Sequence, residues 1–158
     1  ETYIGGRDRG GKRGRGSENK TAVVGLVERG GKVVTQVIPD VKKATLQPIV
    51  EEHVEKGATV YTDELQSYNG LTAAGYNHAK VLHSHDIYVI GNIHTNTIEG
   101  FWGNTKPGIT GVYRHVSPKY LQSYLNEYAF RYKHRNDVTP MFVSFLFQMA
   151  GESAHLVS

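Results

Sequence analysis

Three polar residues and one glycine in the second half of the chain recur at the spacing of an α-helix. They are Asn96, Glu99, Gly103 and Lys106. At about 100° per residue, these positions fall within about 80° of one another and predict a narrow polar stripe along a helix. The apolar residues between them, such as Ile98, point elsewhere and can pack. A solvated surface helix is one interpretation of this polar stripe. The other is a site that combines a carboxamide, a carboxylate and an ammonium group.

Asp63 provides a second carboxylate that the fold could bring to the same place. It follows an apolar, β-branched run at residues 58–62 and precedes Glu99 by 35 intervening residues. A strand-borne aspartate and a helix-borne glutamate separated in this way could converge on divalent metal ions. Hard cations such as magnesium prefer carboxylate oxygens and keep several waters, so few protein ligands suffice. The pair therefore predicts a metal-dependent site.

The composition excludes several classes of protein. With 158 residues, of which 39% are hydrophobic, the chain is expected to form one folded domain. The absence of cysteine excludes disulfides and thiolate zinc sites and fits a reducing cytosol. There is no apolar run of membrane-spanning length and no signal peptide. A net charge of +3 and a basic cluster in residues 7–15 favour a polyanionic partner, although solubility explains the cluster equally well.

The first segments of the chain read as strands. The opening ETYIGG predicts the end of a strand, and residues 5–19 predict a Gly-rich basic loop. Residues 21–29 and 32–39 are two β-branched runs joined by Gly30-Gly31, which is a hairpin signal. Their central positions are apolar on both faces, so the sheet is expected to be covered on each side.

Helical and strand patterns alternate after the hairpin. Thr45 is the expected N-cap of a helix that stops at Gly57. The strand at 58–62 is followed by a predicted short helix at 65–74 and a strand at 79–83. This order predicts an α/β fold with a mixed sheet and helices on its faces.

The last part of the chain is predicted to be helical. Pro107 lacks a donor, so the helix that bears the polar stripe is expected to kink or end near Lys106. Ser117-Pro118 predicts the start of another helix. The buried face expected for that helix consists of Leu121, Tyr124, Leu125, Tyr128 and Tyr132. The final apolar segment, Met141 to Met149, is expected to be a packing helix or a contact surface.

Several motifs resemble one known family. They are the opening ETYIGG, VYTDE around Asp63, VLHSH around His83, HTNTIEGFW at residues 94–102, GVYRHVS ending at Ser117, and SYLNEYAFRYKHRN at residues 123–136. On these motifs the chain resembles, over nearly its whole length, the transposases of bacterial insertion sequences related to eukaryotic Merlin elements. The resemblance implies a DDE recombinase with a ribonuclease H-like catalytic domain. In that fold an antiparallel meander is followed by parallel strands in one mixed sheet, with helices on both faces.

The resemblance also implies the cofactors and partners. Three acidic residues of such enzymes hold two magnesium or manganese ions, and the substrates are the transposon ends and the target DNA. The reaction hydrolyses one phosphodiester bond and then transfers the strand. A homodimer or higher oligomer is expected in the complex that joins the ends, in the bacterial cytoplasm at the nucleoid.

The catalytic residues follow from the resemblance by position. Asp63 matches the second acidic residue, and Glu99 matches the third, with Asn96 as its competitor. Lys106 is expected to contact phosphates of the transposon end. The family's first aspartate normally stands immediately before the ETYIGG motif, so residues 1–158 are expected to be a domain truncated at its N-terminus, without that aspartate or an end-binding domain. Such a piece is expected to bind metal poorly and to be inactive alone.

The residues expected to contact DNA are Lys106, Arg114, Arg131, Arg135, Trp102 and His94. Structural roles compete with this interpretation for several of them. Trp102 fits a core position, Arg131 and Arg135 fit the negative end of a helix dipole, and His94 could cap its helix. A zinc site is disfavoured because His83, His85 and His94 are irregularly spaced.

Two other functions fit the same residues. A metal-dependent nuclease of this fold would cleave DNA without joining it. A non-catalytic nucleic-acid-binding remnant of a transposase would bind DNA without cleaving it.

Overall fold

An antiparallel sheet of three strands forms the centre of the structure, a computed structural model that describes residues 1–5, 20–81, 95–112 and 116–155. The strands are β1 (Thr2–Gly5), β2 (Lys20–Val27) and β3 (Val33–Ile38), in the order β1-β2-β3. Thr2 pairs with Val23, and Val27 pairs with Val33. The expected β2–β3 hairpin is confirmed. Gly30 adopts a φ of 73° in its turn, a conformation that glycine reaches without a steric penalty.

Both faces of this sheet are covered, as the two-sided apolar pattern predicted. One face packs against α1 (Lys43–His53), and the other packs against α2 (Asn96–Val112) and α3 (Pro118–Lys133). Alternation along β2 explains the division, because Ala22 and Val24 face the α1 side while Val23 faces the α2 side. The sheet therefore fixes α2, which carries the polar stripe, on one face.

The first helix begins earlier than predicted. Its N-cap is Lys42, and Thr45 lies inside the first turn. The carboxylate of Asp40 accepts hydrogen bonds from the Lys42 main-chain N–H (3.0 Å) and from the Thr45 hydroxyl (2.6 Å). The expectation that Thr45 caps the helix was therefore wrong. Asp40, two residues before the N-cap Lys42, accepts the hydrogen bonds of the Lys42 N–H and the Thr45 hydroxyl.

The remaining described strands form a second, separate sheet. It consists of β4 (Thr59–Thr62) and β5 (Asn77–Lys80), which pair in parallel. The helix predicted at 65–74 is only one turn of 3-10 helix, Gln66–Tyr68, followed by turns. Among the described residues, the parallel strands therefore do not join the antiparallel strands in one mixed sheet. This corrects the expected single sheet, since apolar runs predict strands but do not determine their pairing partners.

The predicted helix at the polar stripe extends further than expected. It does not end at Lys106 but continues through Pro107 to Val112. Proline at this position removes the donor for the carbonyl of Gly103, which lies on the exposed side of α2, where water can bond it. Pro107 is thus tolerated inside the helix.

Two further helices complete the described chain. The start of α3 after Ser117 is confirmed, and so is its buried face, where Leu121 and Leu125 are almost inaccessible to solvent. The final helix, α4 (Met141–His155), packs Phe145 edge-on against Phe130 of α3 with ring centroids 6.2 Å apart. No helix in the four described ranges is long and apolar enough to cross a membrane.

Candidate active site

The polar stripe of α2 faces solvent because the opposite side of the helix packs closely on β2. Asn96, Glu99 and Gly103 are exposed, and Lys106 is partly buried. On the other side, a side chain at Gly25 of β2 would place its Cβ only 2.5 Å from Cζ2 of Trp102. The absence of a side chain at Gly25 therefore lets α2 approach the sheet and sets the orientation of the stripe.

Glu99 lies in the first turn of α2, near the positive end of the helix dipole. The Thr95 hydroxyl donates a hydrogen bond to its Oε1 atom, and the Glu99 main-chain N–H donates to the Thr95 carbonyl at 3.1 Å. These bonds orient a solvent-exposed carboxylate at the start of the helix.

Asp63 follows the last residue of β4 and is fixed by its neighbours. Its Oδ1 atom accepts a hydrogen bond from the Leu65 main-chain N–H (3.1 Å). The Thr62 hydroxyl donates to the Asp63 carbonyl (2.8 Å), and His78 Nε2 lies 2.8 Å from the same hydroxyl oxygen. Since that hydroxyl proton is directed to the carbonyl, Nε2 of His78 donates to Thr62. Two adjacent strands thus hold the main chain that presents Asp63, and no hydrogen bond to Oδ2 is seen within the described ranges.

Two contacts bring the surroundings of Asp63 and Glu99 to the same end of the antiparallel sheet. The Tyr68 hydroxyl, five residues after Asp63, donates to Oε2 of Glu1 at 3.3 Å, where β1 begins. At the same end, Gly25 of β2 lies two residues beyond Val23, the residue that pairs with Thr2. A Cβ atom placed on Gly25 would lie 3.0 Å from Cδ1 of Ile98. The segment after Asp63 therefore reaches this end of the sheet on the α1 face, and the first turn of α2 reaches the same end on the opposite face.

Glu1 lies on the face of the sheet opposite to α2. Tyr3 packs on the α1 side and Ile4 on the α2 side, so alternation places Glu1 on the α1 side with Tyr68. Glu1 therefore does not present its carboxylate on the α2 side, where Glu99 lies.

The described residues supply only part of a metal-ligand set. Within residues 1–5, 20–81, 95–112 and 116–155, no three His, Asp or Glu side chains cluster closely enough to hold a metal ion. The oxygens of Asp63, Glu99 and Asn96 nevertheless have the chemistry that magnesium and manganese prefer. The three histidines considered for zinc, His83, His85 and His94, lie outside the described residues.

Lys106 is partly buried and lies within the electrostatic range of a second cation. Burial lowers the pKa of the Lys106 ammonium below its ordinary value, and the positive charge of Lys20 at the start of β2 lowers it further. Lys20 was not singled out in the sequence, because it is distant from Lys106 along the chain. In the sequence, Lys20 is marked as part of a basic region only by its position directly after the basic loop at residues 5–19.

The other residues expected to contact DNA have different environments. Trp102 is 7% exposed and packs at Gly25, so its ring is not available to stack on a base, and its assignment as a DNA contact is corrected to a core role. Arg131 pairs with Glu127, and the Arg135 guanidinium lies 3.7 Å from the centre of the Tyr132 ring. The two remaining residues, Arg114 and His94, lie outside the described residues.

Comparisons with known proteins match most of the chain. Residues 1–133 match the ISXO2-like transposase domain. A Haemophilus influenzae protein described as an uncharacterized transposase-like protein is 32% identical over 101 residues, which cover 64% of this chain and 80% of that protein. No solved structure matches the chain significantly. The extent of the domain match shows that this chain belongs to the family of ISXO2-like transposase domains.

Proposed function

We propose that this chain is the catalytic core of a DDE transposase that cleaves and joins DNA at the ends of an insertion sequence. The observation that carries the proposal is the match of residues 1–133 to the ISXO2-like transposase domain. It is supported by the position of the segment after Asp63 and of the first turn of α2, which reach one end of the antiparallel sheet from its two faces. A ribonuclease H-like arrangement fits the order of an antiparallel meander followed by parallel strands. Asp63 and Glu99 are the two carboxylates that this arrangement would use.

The donor set fits divalent magnesium or manganese. Two such ions, when bound, would stabilise the charge on the entering and leaving oxygens of the phosphodiester. Asp63 would hold such an ion through Oδ2, because its Oδ1 atom accepts the hydrogen bond from Leu65. Glu99 would supply a second carboxylate from the exposed start of α2.

Glu99 is a better third acidic ligand than Asn96. An anionic oxygen binds a hard cation more strongly than a neutral amide oxygen does. Asn96 lies one turn earlier on the same exposed stripe, where its carboxamide can orient a water molecule or a DNA phosphate. Lys106 would contact the transposon end as a positive charge.

We propose DNA as the substrate and a second copy of the chain as the partner. Joining two transposon ends requires at least two active sites in one complex. Six large apolar side chains of α4 are exposed and would be buried by an association of this kind: Met141, Phe142, Phe145, Leu146, Phe147 and Met149.

A non-catalytic DNA-binding domain is the second candidate. It is favoured by the finding that the described residues hold no complete metal-binding group. The two candidates differ in the dependence of DNA cleavage on Asp63 and Glu99.

The test is manganese-dependent cleavage and strand transfer on an oligonucleotide that carries the end of the element, with the complete protein that contains this domain. Asp63→Asn and Glu99→Gln are expected to reduce cleavage by more than about a hundredfold while DNA binding stays within about twofold. Asn96→Ala is expected to retain strand transfer. Glu52→Gln, at an exposed position of α1, is the matched control and should keep full activity.

The outcomes separate the candidates. Residual cleavage within about tenfold of the wild type in Asp63→Asn would remove Asp63 from the catalytic residues. Cleavage without joining would indicate a nuclease. A wild-type protein that binds DNA but neither cuts nor joins it would support the non-catalytic candidate.

A further inference from the structure

Two arginines that are remote from each other in sequence lie over tyrosine rings at the turn between β2 and β3. Arg29 belongs to that turn, and its guanidinium carbon is 4.5 Å from the centre of the Tyr61 ring in β4. Arg135, two residues after the end of α3, has its guanidinium carbon 3.7 Å from the centre of the Tyr132 ring. Its Nη1 atom lies 3.5 Å from the carbonyl oxygen of Gly31, so the turn receives a second guanidinium from α3.

The Arg29 stack lies next to the segment that presents Asp63. Tyr61 precedes Asp63 by two residues. Val60 packs against the cluster on the α1 face, so alternation along β4 places the Tyr61 ring on the opposite side of the strand. Arg29 therefore lies on the side of β4 that faces away from α1, two residues along the strand from the position of Asp63.

The Arg135 stack is connected to the turn of α2 that carries Glu99. Tyr132 packs edge-on against Phe101 of α2, with ring centroids 5.5 Å apart, and Phe101 is two residues after Glu99. Phe101 is buried, whereas Glu99 and Arg135 are exposed. The two guanidinium groups therefore lie at one turn, beside the two segments that carry the candidate carboxylates.

The charge around this turn is positive. Residues 28–32 and 127–137 carry five Lys or Arg side chains and three Asp or Glu side chains. Glu127 and Asp137 each already pair with a basic side chain nearby in the chain. A ring stacked on a guanidinium covers its face, while the N–H donors lie in its plane and match the oxygens of a phosphate. The surface therefore suits an anionic strand.

We propose that Arg29 and Arg135 each bind a backbone phosphate of DNA at the β2–β3 turn, an inference that rests on DNA being the substrate in the proposed function. The pair positions the strand beside Asp63 and Glu99 through its backbone and reads no base. The tyrosine rings hold the guanidinium groups in place before the strand arrives, which lowers the entropy lost on binding.

The test measures the affinity of the complete protein for a fluorescent duplex carrying the element's end, over a range of salt concentrations. Arg29→Gln is expected to weaken binding by about three- to tenfold and to lower the slope of log affinity against log salt by about 0.9, the value for one lost phosphate contact. Arg29→Lys should keep the slope, because lysine retains the charge. Lys56→Gln is the matched control and should change neither quantity, since it removes a cation that lies over a tyrosine ring, Tyr76, on the α1 side of the sheet.

Two further measurements distinguish phosphate binding from a purely structural role. The double variant Arg29→Gln with Arg135→Gln should lower the slope by about 1.8, and the two losses of affinity should add, because the contacts are to different phosphates. If the Arg29 stack only held Tyr61 in place, Arg29→Gln would lower the melting temperature or the cleavage rate at saturating DNA while the affinity and the slope stayed those of the wild type. That pattern would overturn the inference.

The outcomes also separate this inference from the proposed function. If the wild type binds DNA in a salt-dependent way but Arg29→Gln and Arg135→Gln behave like Lys56→Gln, the inference fails and the proposed function stands. If the wild type binds DNA without cutting or joining it, while Arg29→Gln still weakens binding and lowers the slope, the catalytic proposal fails and the contact surface stands. If the wild type binds no DNA, both fail.

Discussion

The main chain at Asp63 is held by a chain of hydrogen bonds that begins on β5. His78 donates to the Thr62 hydroxyl, which donates to the Asp63 carbonyl, each at 2.8 Å. The Thr62 side chain is buried, so these bonds are protected from competing water. His78 therefore acts as a positioning residue for a candidate catalytic carboxylate, although it lies 15 residues further along the chain.

This arrangement predicts a pH dependence of stability. Burial, followed by the charge of Lys80, lowers the pKa of His78. Below the unfolded value of about 6.5, the unfolded chain binds a proton more readily than the folded chain does. The free energy of unfolding is therefore expected to fall as the pH decreases from about 7 to about 5.

Urea unfolding at several pH values measures this effect. His78→Gln should flatten the pH dependence, because glutamine can still donate to Thr62 but does not titrate. His53→Gln, at an exposed position at the end of α1, is the control. Identical pH profiles for His78→Gln and the wild type would contradict the prediction.

At the scale of elements, the packing of α2 on β2 determines which side of the helix faces solvent. Two glycines, Gly25 of β2 and Gly103 on the exposed side of α2, differ in the space around them. A Cβ at Gly25 would lie 2.5 Å from Trp102, whereas a Cβ at Gly103 has no heavy atom within 4 Å. The same substitution is therefore expected to have opposite effects at the two positions.

Gly25→Ala should destabilise the protein by about 1–3 kcal/mol through overpacking against the Trp102 ring. Gly103→Ala is the matched comparison and should stabilise it by about 0.5–1 kcal/mol, because alanine favours the helix and meets no neighbour. Chemical denaturation of both variants measures whether the free energy of unfolding falls for Gly25→Ala and rises for Gly103→Ala. Stabilisation by Gly25→Ala would show that α2 does not depend on this close approach.

At the scale of the whole molecule, α4 differs from the other helices because most of its large side chains are exposed. Phe142 and Phe147 are 69% and 72% exposed, while Phe145 packs against the Phe130 ring of α3. An exposed apolar surface of this kind is typical of an interaction site. It is the surface that the proposed oligomer would bury.

The expected result is concentration-dependent self-association of the wild-type protein in sedimentation velocity experiments. Phe142→Ser together with Phe147→Ser should shift the protein towards the monomer without lowering its melting temperature, since neither side chain is in the core. Tyr120→Ser, at an exposed position of α3, serves as the control. A wild type that stays monomeric at all concentrations would contradict the proposed association.

Local patterns in the sequence were sufficient for several features of this protein. The hairpin, the buried face of α3, the exposed stripe of α2 and the strand that delivers Asp63 follow from spacing over a few residues. Hydrophobic periodicity and glycine turns act over that range. The family also followed from short motifs, and the domain match over residues 1–133 confirms it.

Only the tertiary structure decided which distant residues meet. Gly25 and Trp102 are 77 positions apart, and the contact that buries Trp102 depends on how α2 crosses β2. The separate β4–β5 sheet likewise depends on strand pairing, which is set by hydrogen bonds between segments remote in sequence. Contacts of this kind leave no local period, so they could be found only after the chain was folded.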